Sequence, residues 1–191
     1  MKRILSGVIA IPIVWGILLY GSPLLFFGFV VAIVLVASHE YFSMISNMGV
    51  EGFSIEGRVL CFLVLLGFYL GSQSLLLIAV LLPFILFATW FFRGNNVRAV
   101  LDPIAYTALG VFYIAGLGGY FLLIHNLKGG NQMIMLLLLL IWAGDAAAYY
   151  VGRIIGKHKL IPSVSPNKTV EGAIANVVGT LLAAFIAKLW F

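Results

Sequence analysis

Charge is scarce in this chain of 191 residues: Asp, Glu, Lys and Arg make up 9% of it, against 63% hydrophobic residues. A soluble domain of that length cannot hide so much apolar surface, so the solvent for most of it is lipid. Acids are the scarcest of all, six against eleven Lys and Arg, which leaves a net charge of +5. In a membrane protein such an excess bears on orientation and anionic partners. Without a basic soluble face, it excludes a nucleic-acid binder. Cysteine occurs once, as Cys61 within an apolar run, which excludes an internal disulfide and a multi-cysteine metal site. Cys61 reads as a buried small hydrophobe. Soluble domains, internal repeats and low-complexity segments are also missing, so residues 1–191 read as a single integral-membrane domain.

What is present is a series of apolar runs. Met1-Lys2-Arg3 and the apolar stretch after it have the outline of a signal peptide. However, Tyr20-Gly21-Ser22-Pro23 is a poor cleavage site, so residues 4–20 read as a first transmembrane helix. Further helices are expected at about 24–43, 59–70, 75–92, 104–124, 132–151 and 171–189. The fold class is therefore all-α, a polytopic transmembrane bundle of about seven helices. Pro83 should kink the fourth helix, and Gly110, Gly116, Gly118 and Gly119 should allow close contact in the fifth. Seven spans put the amino terminus and the loops 44–58, 93–103 and 152–170 on one side. That side holds nine of the eleven basic residues; Lys128 and Lys188 lie on the other. The positive-inside rule places the amino terminus and loop 152–170 in the cytoplasm.

Loop 152–170 and its flanks concentrate polar chemistry. Asp145 lies about two turns inside the sixth helix, where a bare carboxylate costs roughly 3 kcal/mol and calls for a cation, a partner or water. Helical spacing puts Asp145, Tyr149 and Gly152 on one face. The functional reading is a metal ligand or polar-site acid; the alternative is a structural pair with a Lys or Arg. The small pairs Ala143/Ala147 and Gly144/Ala148 indicate helix packing. Arg153, Lys157 and Lys159 suit phosphate capture, or are ordinary interfacial positive charge; His158 reads as an interfacial residue. Ser165-Pro166-Asn167-Lys168-Thr169 precedes a helix start, where backbone N–H groups and the helix dipole favour a phosphate. It is not a Walker A loop, because the required glycines are absent. The competing reading is a cap by Asn167 or Thr169, with Glu171 in the first turn. A second acidic spot, His39-Glu40, reads as structural, with Glu40 pairing to Arg58 or Arg93.

The run from Asp145, D-x-x-A-Y-x-x-G-R-x-x-G-K-H-K-L followed by S-P-x-K-T-x-E-G, resembles the phosphatidate cytidylyltransferase (CDP-diacylglycerol synthase) family. Weaker similarity covers Glu40 with its following aromatics and Leu109-Gly110-Val111-Phe112-Tyr113-Ile114. The resemblance implies CTP and phosphatidic acid as substrates, CDP-diacylglycerol and pyrophosphate as products, and Mg2+ or another divalent cation as cofactor. It implies a bacterial-type plasma membrane location, with membrane lipids and a second copy of the chain as partners. Asp145 would hold the metal. Lys168 would hold phosphates with Ser165 and Thr169, and Arg153, Lys157, Lys159 and Asn167 would line the substrates. Glu171 would position the basic residues. The family pattern also has Ser-x-x-Lys-Arg, Lys-Asp, Pro-Gly-His-Gly-Gly and Asp-Arg-x-Asp motifs nearer its carboxyl end. These 191 residues do not contain them, so low turnover is expected of these residues by themselves. Rival readings are a small-solute transporter or non-catalytic membrane protein, or a CTP-dependent enzyme acting on another lipid phosphate. A transporter should show paired broken helices in matching halves, and no such repeat is visible.

Overall fold

The computed structural model describes residues 2–50, 52–93 and 100–189; Glu51 and Arg98, two charges of the expected loops, lie outside them. Seven helices run through the described residues: α1 (Lys2–Tyr20), α2 (Pro23–Asn47), α3 (Ser54–Leu70), α4 (Ser72–Phe92), α5 (Leu101–His125), α6 (Gly130–Ile154) and α7 (Val170–Ala187). Five of them (α2, α4, α5, α6 and α7) are long and apolar enough to cross a membrane. The chain is an integral membrane protein built as an all-α bundle. Two compact units divide it, Met1–Gly130 and Asn131–Phe191.

In the first unit, α3 is the central helix, packed against α2, α4 and α5. Its Cys61 and Leu65 are fully buried, as the apolar setting of Cys61 led one to expect. Close approach depends on small residues set against large rings. Gly57 of α3 lies under the Phe42 ring of α2, Gly119 of α5 against Phe68 of α3, and Gly110 of α5 against Tyr41 of α2. A Cβ at any of these positions would come within 2.4 Å of a ring carbon. The outer helix α4 buries one stripe, Leu82, Leu86 and Trp90, at a spacing of four. Its other large side chains, such as Leu77, Phe84 and Phe91, face outward, as suits lipid. Pro83 lies inside α4 without dividing it.

Helix starts follow local chemistry. The Ser22 hydroxyl caps α2 by accepting from Leu25 N–H at 3.2 Å, with Pro23 at the first helical position. Gly71, at φ 116°, lets α3 turn directly into α4. The expected loop 44–58 is shorter in the structure. The α2 helix continues to Asn47 and α3 begins at Ser54, because Ile45 and Phe53 are buried rather than solvated. Thr107 of α5 fastens this turn: its buried hydroxyl accepts from Phe53 N–H at 3.1 Å and donates to Pro103 O at 2.7 Å. The pairing expected for Glu40 is not found. Arg93 pairs instead with Glu56, also stacking over Phe53, while Arg58 Nε donates to Ser54 O. Glu40 is exposed.

The glycine-rich α5 has a feature that periodicity does not report. Val111–Gly116 forms a π-helical segment within it. Such widened turns interrupt the normal ladder of hydrogen bonds. One turn before it, Tyr41 Oη of α2 donates to Tyr106 O at 2.9 Å.

Candidate active site

The second unit begins with α6, whose carboxyl-terminal half carries Asp145, Tyr149, Gly152 and Arg153. A seam of small residues joins it to α7. A Cβ added to Gly144 would meet Thr180 Oγ1 at 2.4 Å, and one added to Gly179 would meet Ala147 Cβ at 2.5 Å. Gly152 and Gly172 are close enough that a Cβ on Gly172 would lie 3.4 Å from Gly152 Cα. The small-residue spacing of α6 therefore serves packing, as its pattern suggested. At the middle of this seam, Asn176 Nδ2 of α7 donates to Asp145 Oδ1 at 3.3 Å. Asp145 is otherwise exposed and has no ion pair among the described residues. Its partner is thus a neutral amide, not the Lys or Arg of the structural alternative.

Between the two helices the chain forms a small antiparallel hairpin, β1 (Lys159–Ile161) and β2 (Ser165–Thr169). Lys159 is opposite Thr169 and Ile161 opposite Ser165, with an irregularity between them. The ladder is extended by Val170 N–H donating to His158 O at 2.9 Å. The expected loop 152–170 is therefore partly ordered as a hairpin. The hairpin brings the two halves of the motif together: Lys157, His158 and Lys159 lead into β1, while Asn167, Lys168 and Thr169 lead out of β2.

Thr169 decides where α7 begins. It is buried and in extended conformation, and its hydroxyl oxygen accepts from Gly172 N–H at 3.1 Å. The cap is therefore Thr169, not Asn167. Thr169 also packs against Gly152 and Gly156, where a Cβ would lie 3.0 and 2.7 Å from its Oγ1. Glu171, in the first turn of α7, reaches back across the hairpin. It accepts from His158 Nδ1 at 2.7 Å and from the His158 backbone N–H at 3.3 Å. Of the motif's basic residues, Glu171 grips His158, which sequence reasoning had set aside as an interfacial bystander. Arg153 is positioned by Tyr149, one turn earlier, through Nη1 to Oη at 3.2 Å. Lys157, Lys159 and Lys168 are exposed and carry no ion pair among the described residues. Asn176 is the residue that sequence reasoning missed altogether; its only signal was a carboxamide inside an apolar helix.

These groups suit the handling of phosphate anions. Arg153, Lys157, Lys159 and Lys168 are unneutralised cations within one short segment, and Ser165 and Asn167 add neutral donors beside them. Among the described residues no group of three His, Cys, Asp or Glu side chains converges. They do not build a closed metal cage. The donor that is present, an exposed carboxylate, suits a hard divalent cation, which takes one or two carboxylates and completes its shell with water and substrate phosphates.

A model of the cytidylyltransferase family matches residues 1–191. The chain belongs to the cytidylyltransferase family. Its relatives include a phosphatidate cytidylyltransferase of Bacillus subtilis strain 168, 30% identical over 197 residues that span 98% of this chain and 71% of the relative. Another from Staphylococcus haemolyticus is 30% identical over 193 residues, 96% of this chain and 70% of the relative. A third, from Staphylococcus saprophyticus, is 27% identical over 98% of this chain and 72% of its own length. The cytidylyltransferase family thus covers both units, including helices that carry none of the motif.

Proposed function

We propose that the chain is a phosphatidate cytidylyltransferase, transferring the cytidylyl group of CTP to phosphatidic acid. The observation that carries this reading is the hairpin. It places Lys168 beside the Lys157–Lys159 strand entry, next to a helix pair bearing Asp145. A phosphate oxygen of phosphatidic acid attacks the α-phosphorus of CTP. One P–O bond forms, the bond between the α- and β-phosphates breaks, and pyrophosphate leaves with the electron pair. Charge spreads over the phosphate oxygens as this happens, and nearby cations lower its cost. Lys168 and Lys157 supply that charge as mobile ammonium groups, and Arg153, steadied by Tyr149, as a fixed fork. Ser165 and Asn167 orient the phosphates by hydrogen bonds. Glu171 acts as a positioning residue, holding His158 and with it the strand entry. Asp145, with its free oxygen, would hold Mg2+ or another divalent cation, which when bound offsets phosphate charge.

The orientation belongs to the same reading. Nine of eleven basic residues fall on the side of loop 152–170, so that face is cytoplasmic in a bacterial-type plasma membrane, where CTP is available. The site is tested with the full chain in detergent and labelled CTP. Removing one charge-assisted contact costs about 1.5–3 kcal/mol, so Lys168→Ala should weaken CTP or phosphatidate binding by roughly tenfold to a hundredfold. Lys188→Ala, at the far end of α7, should leave both unchanged. Equal effects would remove Lys168 from the site.

A further inference from the structure

The first unit has an anion-binding geometry of its own, made of residues outside the Asp145-to-Gly172 motif. At the end of α2, His39, Ser43, Ser46 and Asn47 fall at a spacing of four, three and one, on a single face. The start of α3 adds Ser54 and Arg58, and the two helices enclose an open cleft of about 250 Å³ floored by Phe42. No acid lines it. Its wall is made of three hydroxyls, an amide, an imidazole and a guanidinium. This is a donor-rich set with a fixed positive charge, because a guanidinium stays protonated.

The two arginines in this region differ. Arg93 is neutralised by Glu56 and stacks on Phe53. Arg58 is half-buried and has no acidic partner among the described residues. Its Nε donates to Ser54 O at 2.9 Å, which sets the plane of the guanidinium and leaves both terminal nitrogens without a protein partner among the described residues. A partly desolvated cation in that state is completed by an oxyanion, and a guanidinium edge matches two phosphate oxygens at once. Size narrows the class further. Pockets for larger ligands occupy roughly 300–1,000 Å³, and a cleft of this size suits a small phosphate ester. Depth narrows the source. At about 1.5 Å per residue, the 25 residues of α2 span roughly 37 Å, more than the roughly 30 Å of hydrocarbon, so a helix end reaches headgroup level.

We propose that the cleft between the end of α2 and the start of α3 binds the phosphate-ester headgroup of an anionic lipid, gripped by Arg58 with Ser43 and Ser46. The proposal stands on first-unit residues alone and is independent of the cytidylyltransferase reading of the hairpin. It is tested with the full chain in phosphatidylcholine nanodiscs carrying a trace of phosphatidic acid with a diazirine close to the glycerol. After irradiation, the labelled peptides are mapped. Label should appear within residues 39–58 and be competed by unlabelled phosphatidic acid and phosphatidylglycerol, but not by added phosphatidylcholine. Failure of millimolar glycerol 3-phosphate to compete would assign the site to lipid. Competition by it would overturn the lipid source in favour of a soluble ester. Arg58→Gln should cut label in 39–58 at least tenfold while label in 153–171 is unchanged; this second region separates the cleft from the hairpin. Arg58→Lys should fall between, since charge is kept and the fork is lost. If Arg58→Gln does not fold, Ser43→Ala with Ser46→Ala should still lower label severalfold. Undiminished label in all three variants, no label within 39–58, or equal label from a photoactivatable phosphatidylcholine would overturn the proposal.

Discussion

Gly179→Ala puts the seam between α6 and α7 to a direct test. The added methyl would lie 2.5 Å from Ala147 Cβ, and ordinary contact begins near 3.4 Å. Neither carbon can rotate away, because each is fixed to its helix backbone. The helices must therefore part locally by about 0.9 Å, the difference between those distances. Overpacking of this kind costs about 1–3 kcal/mol. Alanine returns about 1 kcal/mol through helix propensity, so the net loss of stability is about 0–2 kcal/mol. The geometric effect is larger than the energetic one. Asn176 lies one turn from Gly179, and its 3.3 Å bond to Asp145 already sits near the limit of a hydrogen bond. Separation by about 0.9 Å would break it. Misplacement by about 1 Å can cost roughly a hundredfold in rate. The expected result is a small fall in melting temperature in detergent and a large loss of cytidylyl transfer. Ala147→Gly in the same chain should restore both. A Gly179→Ala chain that is more stable than wild type and equally active would refute the seam.

Thr169→Val should remove the cap of α7 and cost about 1 kcal/mol, seen as a lower melting temperature, with Thr169→Ser close to wild type. Glu171→Gln and His158→Ala should each weaken CTP binding, and the double variant should be no worse than the stronger single one, because both remove one contact; additive losses would separate their roles. Ser163, exposed at the tip of the hairpin, gives a topology test. Ser163→Cys in a Cys61→Ala background should resist membrane-impermeant thiol reagents applied to intact cells, and ready labelling from outside would reverse the orientation.

Much of this fold could be read from the sequence, because lipid imposes a simple rule. Helices must satisfy their own backbone, so seven apolar runs became seven helices with boundaries shifted by a few residues. The shifts have causes. Ile45 and Phe53 looked like part of a polar loop because Asn47, Gly49 and Glu51 surround them, yet both are buried. The π segment leaves the apolar pattern of α5 unchanged, so nothing in that pattern marks it. The pairing of Arg93 with Glu56, and not Glu40, depends on how α3 and α4 are rotated, which hydropathy does not encode. In the site, Asp145 stood out as an acid inside an apolar run, and Lys168 and Glu171 as charges at a helix start. The hairpin did not, because β1 has three residues, too few to show alternation, and β2 contains Pro166, which argues against a strand. Asn176 was hidden because its meaning depends on facing Asp145 across a helix pair.

The most direct measurement of the central claim follows two phosphates of one nucleotide. Purified chain is incubated in mixed micelles with phosphatidic acid, Mg2+ and CTP carrying label on either the α- or the γ-phosphate, and lipid-soluble label is counted. Radiochemical counting detects a few turnovers, so low activity does not obscure the answer. Cytidylyl transfer predicts that α-label enters the lipid phase only when phosphatidic acid is present, that γ-label stays in the water as pyrophosphate, and that Lys168→Ala lowers the transfer by roughly tenfold to a hundredfold at subsaturating CTP. Entry of γ-label into lipid, or absence of lipid-soluble α-label from the wild-type chain, would contradict it.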